Sequence, residues 1–313
     1  MNKKIIAVFQ QSRVPFFSVQ ECHIQRLRAS LPAAAVIWCH SRDEFLAALP
    51  EAEVALTWRF KQEWFDLAPK LRKIATPAAG RDFFAASSIP EWIEIKNGTF
   101  HGPLMAESVL GLLLAFNRGI LTAYRHQLQG ELWPDQALLG ARLISGTHAV
   151  IIGFGKIGQH VGRMLKHFNI RVTGIRRTPA VNLPAWFESG DSVQPPACLQ
   201  RVLAHADHVI MLLPSDTGTD HFLGEREFEC MPAHAVVYNF GRGNSIDEVA
   251  LAKALRAGSI RGACLDVFQQ EPLTAESPLA DENLPGLVRM PHASAFSEVY
   301  IERFIDECIE WLR

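Results

Sequence analysis

The stretch Ala149-Val150-Ile151-Ile152-Gly153-Phe154-Gly155-Lys156-Ile157-Gly158 constrains this chain more than any other. Four apolar residues predict a short buried strand, and the glycines follow at once. From Gln159 to Phe168 the apolar positions Val161, Leu165 and Phe168 recur at helical spacing. Strand, glycine turn and helix in that order are the context that gives a G-x-G-x-x-G its meaning. Gly153 permits the tight turn, Gly155 lets backbone approach a pyrophosphate, and Gly158 lets the helix pack on the strand. The helix N-terminus then offers unpaired N–H groups and a positive dipole end to phosphates. The expectation is a dinucleotide site.

The residues after the next strand, Arg171 to Ile175, narrow that site. An NAD site carries an acidic residue roughly 20 positions beyond the glycines, accepting from the ribose 2′-OH. Here Arg176, Arg177 and Thr178 occupy that window and no carboxylate does. A carboxylate repels a 2′-phosphate, whereas a guanidinium binds one bidentately. NADP(H) is therefore expected as the preferred cofactor, with NAD(H) the secondary alternative.

A chain of 313 residues, nearly half of them hydrophobic, accommodates two domains. A formal charge of −2 gives no electrostatic reason to expect nucleic acid or an anionic membrane. Six cysteines without a C-x-x-C pair predict reduced, buried thiols in a cytoplasmic protein, with no disulfide framework and no metal site. The apolar run after Lys3-Lys4 is too short for a signal peptide and predicts a first strand. Leu104 to Phe116 is too short to span a bilayer.

Before the glycine motif, strands are expected at Ile5–Phe9, Ala35–Cys39, Val54–Trp58, Arg72–Thr76 and Trp92–Lys96. Helices are expected at Val19–Ser30, Asp43–Leu49 and Gln62–Leu67, an alternation that implies a parallel sheet. Ligands of such sheets sit beyond the carboxyl ends of strands. Trp58 and the loop Thr76-Pro77-Ala78-Ala79-Gly80-Arg81 are therefore candidate substrate contacts, the small residues exposing N–H groups to a carboxylate. Asn97-Gly98 predicts a turn and hinge, Pro103 to Arg118 a buried helix, and His101 a neighbour of its N-cap in solvent, the alternative being a side chain that faces the cleft. Leu132 to Ile144 reads as a loop-like arm across a dimer interface. After the motif, strands are expected at His208–Leu213, Ala235–Asn239, Ala263–Val267 and Leu287–Met290. Asp247–Ala257 is an expected helix, and Ser297–Arg313 an amphipathic one.

Three polar residues sit just beyond these later strands: Arg242, Glu271 and His292. Reducing a ketone needs a proton source for the developing alkoxide and a cation to hold the substrate. Arginine grips a carboxylate, histidine titrates near neutrality, and a neighbouring carboxylate favours its protonated form.

At these residues the sequence resembles the D-isomer-specific 2-hydroxyacid dehydrogenase family. The resemblance runs through Gly153-Phe154-Gly155-Lys156-Ile157-Gly158, Leu212-Leu213-Pro214 and Asn239-Phe240-Gly241-Arg242-Gly243. It continues with Gly262-Ala263-Cys264-Leu265-Asp266-Val267-Phe268, Glu271-Pro272, Ser277-Pro278-Leu279 and Pro291-His292. It implies Arg242 as the substrate-binding arginine, His292 as acid/base, Glu271 as its partner, and Asp266 against the nicotinamide carboxamide. Leu213, Pro214, Asn239, Phe240 and Gly241 would line the cofactor; Ala79 and Gly80 would bind the substrate carboxylate. The implied architecture is α/β, two Rossmann-like or flavodoxin-like domains with parallel sheets. Residues 1–98, completed by 294–313, would form a discontinuous substrate domain, and 99–293 the NAD(P)-binding domain. A homodimer through the cofactor domains and a cleft that closes on substrate are also implied.

Arg176 replaces the usual ribose-binding acid, as in NADPH-preferring glyoxylate/hydroxypyruvate reductases of the family. Phosphite dehydrogenases resemble the family but carry lysine where Ala79 stands, and formate dehydrogenases carry glutamine where Glu271 stands. The expected function is NADP(H)-dependent reduction of a small 2-oxoacid to its D-2-hydroxyacid. The alternatives are a cofactor-sensing binding protein resembling the co-repressors of this fold, and a dehydrogenase of phosphorylated or sugar acids using Arg59 and Arg81.

Overall fold

Twelve short strands in the described part of the chain pair only in parallel, forming two separate sheets. The computed structural model describes residues 3–313 apart from 13, 81–83, 85–88, 134, 136–139 and 179–182. It divides into two compact units, one of residues 1–101 with 295–313, the other of residues 102–294.

The first unit holds β1 (Lys4–Phe9), β2 (Ala34–Trp38), β3 (Val54–Thr57), β4 (Lys73–Thr76) and β5 (Glu94–Asn97), in sheet order β2-β1-β3-β4-β5. Order reverses at β1, the arrangement of flavodoxin-like sheets. α1 (Glu21–Ser30) and α2 (Arg42–Ala48) link the first three strands. Ser41 caps α2 by accepting from the Glu44 N–H. Phe45, Leu49, Phe60, Trp64 and Leu71 form the core on one sheet face. The Gln62–Leu67 segment is a single 3-10 turn at Gln62–Trp64 and not a full helix. Trp64 is buried there, so packing of one aromatic decides this segment where periodicity pointed to a helix. The strand expected from Trp92 begins at Glu94, and Trp92 is exposed.

Residues 300–312 return to this first unit as a helix, numbered α9 (Tyr300–Leu312) by its place in the chain. Its apolar stripe Ile301, Phe304, Ile305 and Cys308 is buried. Arg26 of α1 bridges its Glu302 and Asp306. Thr99 donates to Glu307, and Trp311 Nε1 to Glu94.

The second unit opens with α3 (His101–Asn117) and α4 (Ile120–Leu128). Sequence periodicity did not mark α4 as a separate helix; Gly119, at φ 71°, starts it. The sheet contains β6 (His148–Ile152), β7 (Arg171–Ile175), β8 (Ser192–Gln194), β9 (His208–Met211), β10 (Val236–Asn239), β11 (Gly262–Leu265) and β12 (Leu287–Arg289). Its order, β12-β11-β10-β9-β6-β7-β8, reverses beside β6, the Rossmann arrangement in which ligands lie past the strand ends. α5 (Lys156–Lys166), α6 (Leu199–Leu203), α7 (Glu225–Cys230) and α8 (Glu248–Ala257) connect the strands, with a continuous aliphatic core against them. α8 runs from the Asp247 cap, which accepts from Val249 and Ala250, to Gly258 at φ 64°.

The cysteine expectation needs correction: Cys39, Cys264 and Cys308 are buried, but Cys22 is exposed and Cys198 and Cys230 are half-buried. Among the described residues no single helix is long and apolar enough to cross a membrane.

Candidate active site

The glycine motif joins β6 to α5, and each glycine answers to a different constraint. Gly153 adopts φ +93°, and a Cβ there would lie 2.6 Å from the Leu212 carbonyl oxygen. Gly155 caps α5 with open space where a Cβ would stand, leaving the helix N-terminus approachable. Lys156, Ile157 and Gly158 form its first turn, whose N–H groups precede the intrahelical ladder. A Cβ on Gly158 would meet Gly153 O at 2.8 Å, so this glycine lets helix and turn touch. Phe154 is buried, its ring packed where any Cβ on Gly174 would collide.

Beyond these strand ends lies a cavity of about 290 Å³, lined among others by Gly155, Arg176, Arg177, Thr178, Leu213 and Pro214. The open glycine turn and the guanidinium groups that line it fit a dinucleotide. The two arginines differ. Arg177 Nη2 lies 3.3 Å from Asp216 Oδ2, whereas no acceptor among the described residues engages the Arg176 guanidinium. Asp216 escaped sequence reasoning, because its position three residues past Leu213 says nothing about which arginine it meets. Asn239, Phe240, Gly241 and Asp266 do not line this cavity. Asn239 instead shapes the turn after β10, accepting from Gly241 N–H and donating to Arg242 O. Phe240 is buried beside it, and a Cβ on Gly241 would lie 2.5 Å from Leu213 O.

Arg242, Glu271 and His292 lie in this same unit, and the fold brings them together. His292 Nδ1 is 2.7 Å from Glu271 Oε2, and the other carboxylate oxygen accepts from the Phe268 N–H. Burial pushes the Glu271 carboxyl up, but the hydrogen bonds from His292 and Phe268 outweigh it and hold it below its ordinary value. The bond to Glu271 raises the His292 imidazole, against burial and the nearby Arg242 charge, which lower it. The half-buried Arg242 donates Nη1 to Gly241 O and also contributes to lowering Glu271. A second cavity of about 560 Å³ is lined by Phe268, Glu271, Leu273, Met290, Pro291 and His292.

His292 sits at φ +54°, a left-handed conformation that costs a non-glycine residue free energy. Asp266 enforces it. Its fully buried carboxylate accepts from Ala293 N–H (2.6 Å) and Ser294 N–H (2.9 Å), pinning the turn that comes next. Gly243 is needed for similar reasons, since a Cβ there would overlap the Phe268 backbone at 1.9 Å.

In the first unit, Trp58 lies just past β3, half-buried, with Nε1 donating to Phe17 O and its ring stacked on Tyr300. Ala79 is exposed and Gly80 half-buried in the loop after β4; Arg81 lies outside the described residues. His101 is not a solvent neighbour: it is buried, with Nε2 3.0 Å from the Tyr300 hydroxyl. The aromatic partner that draws it inside comes from the other end of the chain.

Residues 110–294 match the family model for the D-isomer specific 2-hydroxyacid dehydrogenase NAD binding domain. The chain belongs to the D-isomer specific 2-hydroxyacid dehydrogenase family. It is an NAD(P)-dependent dehydrogenase acting on the CH–OH group of 2-hydroxyacids. A glyoxylate reductase of Korarchaeum cryptofilum is 32% identical over 77% of this chain and 72% of its own length. A family member from Aeromonas salmonicida superposes with TM-score 0.82 at 30% identity, covering 99% of this chain and 96% of that one. Another, from Xanthobacter autotrophicus and solved with NADPH and MES, gives 0.80 at 25% identity, covering 99% and 94%. Two parallel α/β units are thus the family's architecture.

Proposed function

We propose that this dehydrogenase is an NADPH-dependent reductase of small 2-oxoacids, with glyoxylate and hydroxypyruvate as first substrates. The observation that carries the reading is the 2.7 Å contact between His292 and Glu271 beside the Arg242 charge. It is supported by the activity for which the Korarchaeum relative is named and by the cofactor of the Xanthobacter structure.

Bound NADPH supplies the hydride for the carbonyl carbon. Gly153, Gly155 and the first turn of α5 would hold its pyrophosphate, and Arg176 its 2′-phosphate. Arg242 would grip the substrate through a carboxylate or carbonyl oxygen. Ala79, Gly80 and Arg81 are proposed carboxylate contacts and Trp58 a contact to the substrate's remainder. His292 Nδ1 engages Glu271, so Nε2 is the atom that would carry the transferable proton. Glu271 favours the charged imidazole, and protonated histidine is what ketone reduction consumes, so reduction is the primed direction. Asp266, buried and bound to Ala293 and Ser294, would serve by holding the turn that carries His292, and not by touching the nicotinamide carboxamide.

The test is the oxidation of NADPH and NADH, followed separately across a panel of 2-oxoacids. NADPH should be consumed much faster; equal rates with both cofactors overturn the cofactor assignment, and no turnover with any 2-oxoacid overturns the activity.

A further inference from the structure

Where β4 ends and its loop begins, the carbonyls of Thr76, Pro77, Ala78 and Gly80 are tied from within the first unit. Gly98 N–H donates to Thr76 O (2.9 Å) and to Ala78 O (3.1 Å). Asn97 Nδ2 donates to Ala78 O (3.3 Å) and Gly80 O (2.8 Å). The Tyr300 hydroxyl donates to Pro77 O (3.3 Å) and lies 3.0 Å from His101 Nε2. Burial raises the Tyr300 phenol, which keeps it a proton donor across the physiological range. The Ala78 N–H is taken by Thr76 Oγ1, itself anchored to Trp58 O.

Two donors are left over among the described residues. Nothing among these accepts from the Ala79 or Gly80 N–H, and Ala79 is exposed. The C=O and N–H of a trans peptide are fixed antiparallel in one plane. Drawing the Ala78 carbonyl inward onto Asn97 and Gly98 therefore turns the Ala79 N–H outward. Gly98 is required for this approach, because a Cβ there would lie 2.5 Å from Pro77 O. The donors to the loop come from the end of β5 and from α9, which places part of the loop's support in the last residues of the chain.

We infer that Asn97, aided by Tyr300, is the positioning residue of this anion-binding turn, holding the Ala79 N–H toward the substrate carboxylate. Neither side chain touches substrate; each acts by preventing the peptide planes from rotating. This rests on the proposed 2-oxoacid activity, and it assigns the carboxylate's affinity to residues outside the loop itself.

The experiment is steady-state reduction of glyoxylate by NADPH, with oxalate as a competitive probe of the carboxylate site. Asn97→Ala should raise the glyoxylate KM and the oxalate inhibition constant together by about tenfold, since a charge-assisted hydrogen bond loses its fixed donor. kcat and NADPH affinity should stay within about threefold. Tyr300→Phe, which deletes one oxygen, should raise KM by about threefold. Asn97→Ser, if Asn97→Ala fails to fold by circular dichroism, serves as the second variant with the same expected split. A kcat loss at unchanged KM, or weakened NADPH binding, means a merely structural asparagine and overturns the inference. An active wild type whose variants all keep KM within about twofold overturns this inference alone; a wild type that reduces no 2-oxoacid overturns both readings.

Discussion

His292 Nδ1 and Glu271 Oε2 lie 2.7 Å apart, joining a histidine held in a left-handed backbone conformation to a carboxylate whose other oxygen grips the Phe268 N–H. The contact links protonation of the imidazole to the geometry of the segment after β11.

A pH dependence with a definite sign results. With His292 as the proposed acid and its pKa raised, kcat/KM for reduction should hold at low pH and fall as pH rises through that elevated value. Glu271→Gln should move this alkaline limb to lower pH. His292→Ala should lower turnover by about 10²- to 10⁴-fold while NADPH affinity persists. For stability, the raised histidine helps fully below its unfolded value of 6.5, and the depressed Glu271 helps above its own 4.5. The pair therefore contributes most between these values. A profile unmoved by Glu271→Gln would detach the carboxylate from the acid.

The two arginines after β7 should not be equivalent. Arg177 is half-committed to Asp216, whereas Arg176 has no such partner among the described residues. Arg176→Asp should cost NADPH about 10- to 100-fold in kcat/KM and narrow or reverse the preference over NADH. Arg177→Ala should cost several-fold less. Parallel kinetics with both cofactors check it, and an equal loss in the two variants would contradict the distinction.

His208 should make the second unit acid-sensitive. Burial lowers its imidazole to about 4, and neither ring nitrogen has a hydrogen-bond partner among the described residues. Asp207 opposes this shift while Arg261, His234 and His148 add to it. The unfolded chain binds a proton the folded one refuses, so stability falls as pH drops from 6.5 toward 4. The loss amounts to roughly 3 kcal/mol at most, from about 1.4 kcal/mol per pKa unit. Urea unfolding at about pH 4.5 and about pH 7 should show a smaller difference in His208→Phe than in the wild type; an unchanged difference would exonerate His208.

The proposed homodimer calls for a separate measurement. Tyr124, Leu128, Leu132, Trp133 and Leu143 are exposed on the second unit, Trp133 at 88%. Residues 134 and 136–139 of the expected arm lie outside the described residues. Light scattering should give twice the chain mass for the wild type, and Trp133→Glu should shift it toward monomer. A monomeric wild type at micromolar concentration would refute the assembly.

Sequence reading reached furthest where chemistry is local. The β6 turn was legible because three glycines stand at fixed spacing between an apolar strand and a helix, although the Leu212 carbonyl that crowds Gly153 comes from a distant strand end. Arg242, Glu271 and His292 were legible because each closely follows a strand end, and parallel strands deliver such ends to one edge. Periodicity read α3 and α8 within about two residues, yet overran at Gln62–Leu67, where one buried tryptophan decides the local conformation. His101 was misread because its partner, Tyr300, is 199 positions away.

By itself, then, the sequence determined two wound parallel sheets, the glycine turn of the NAD-binding unit and which three polar residues follow strand ends, since these depend on hydrophobic period, glycine spacing and strand ends. Only the tertiary structure decided that Asp216 meets Arg177 and not Arg176, that Asp266 pins the turn after His292, and that Asn97 and Tyr300 tie the loop after β4. Those are pairings between distant segments, settled by how sheets and helices pack, and no local pattern encodes them.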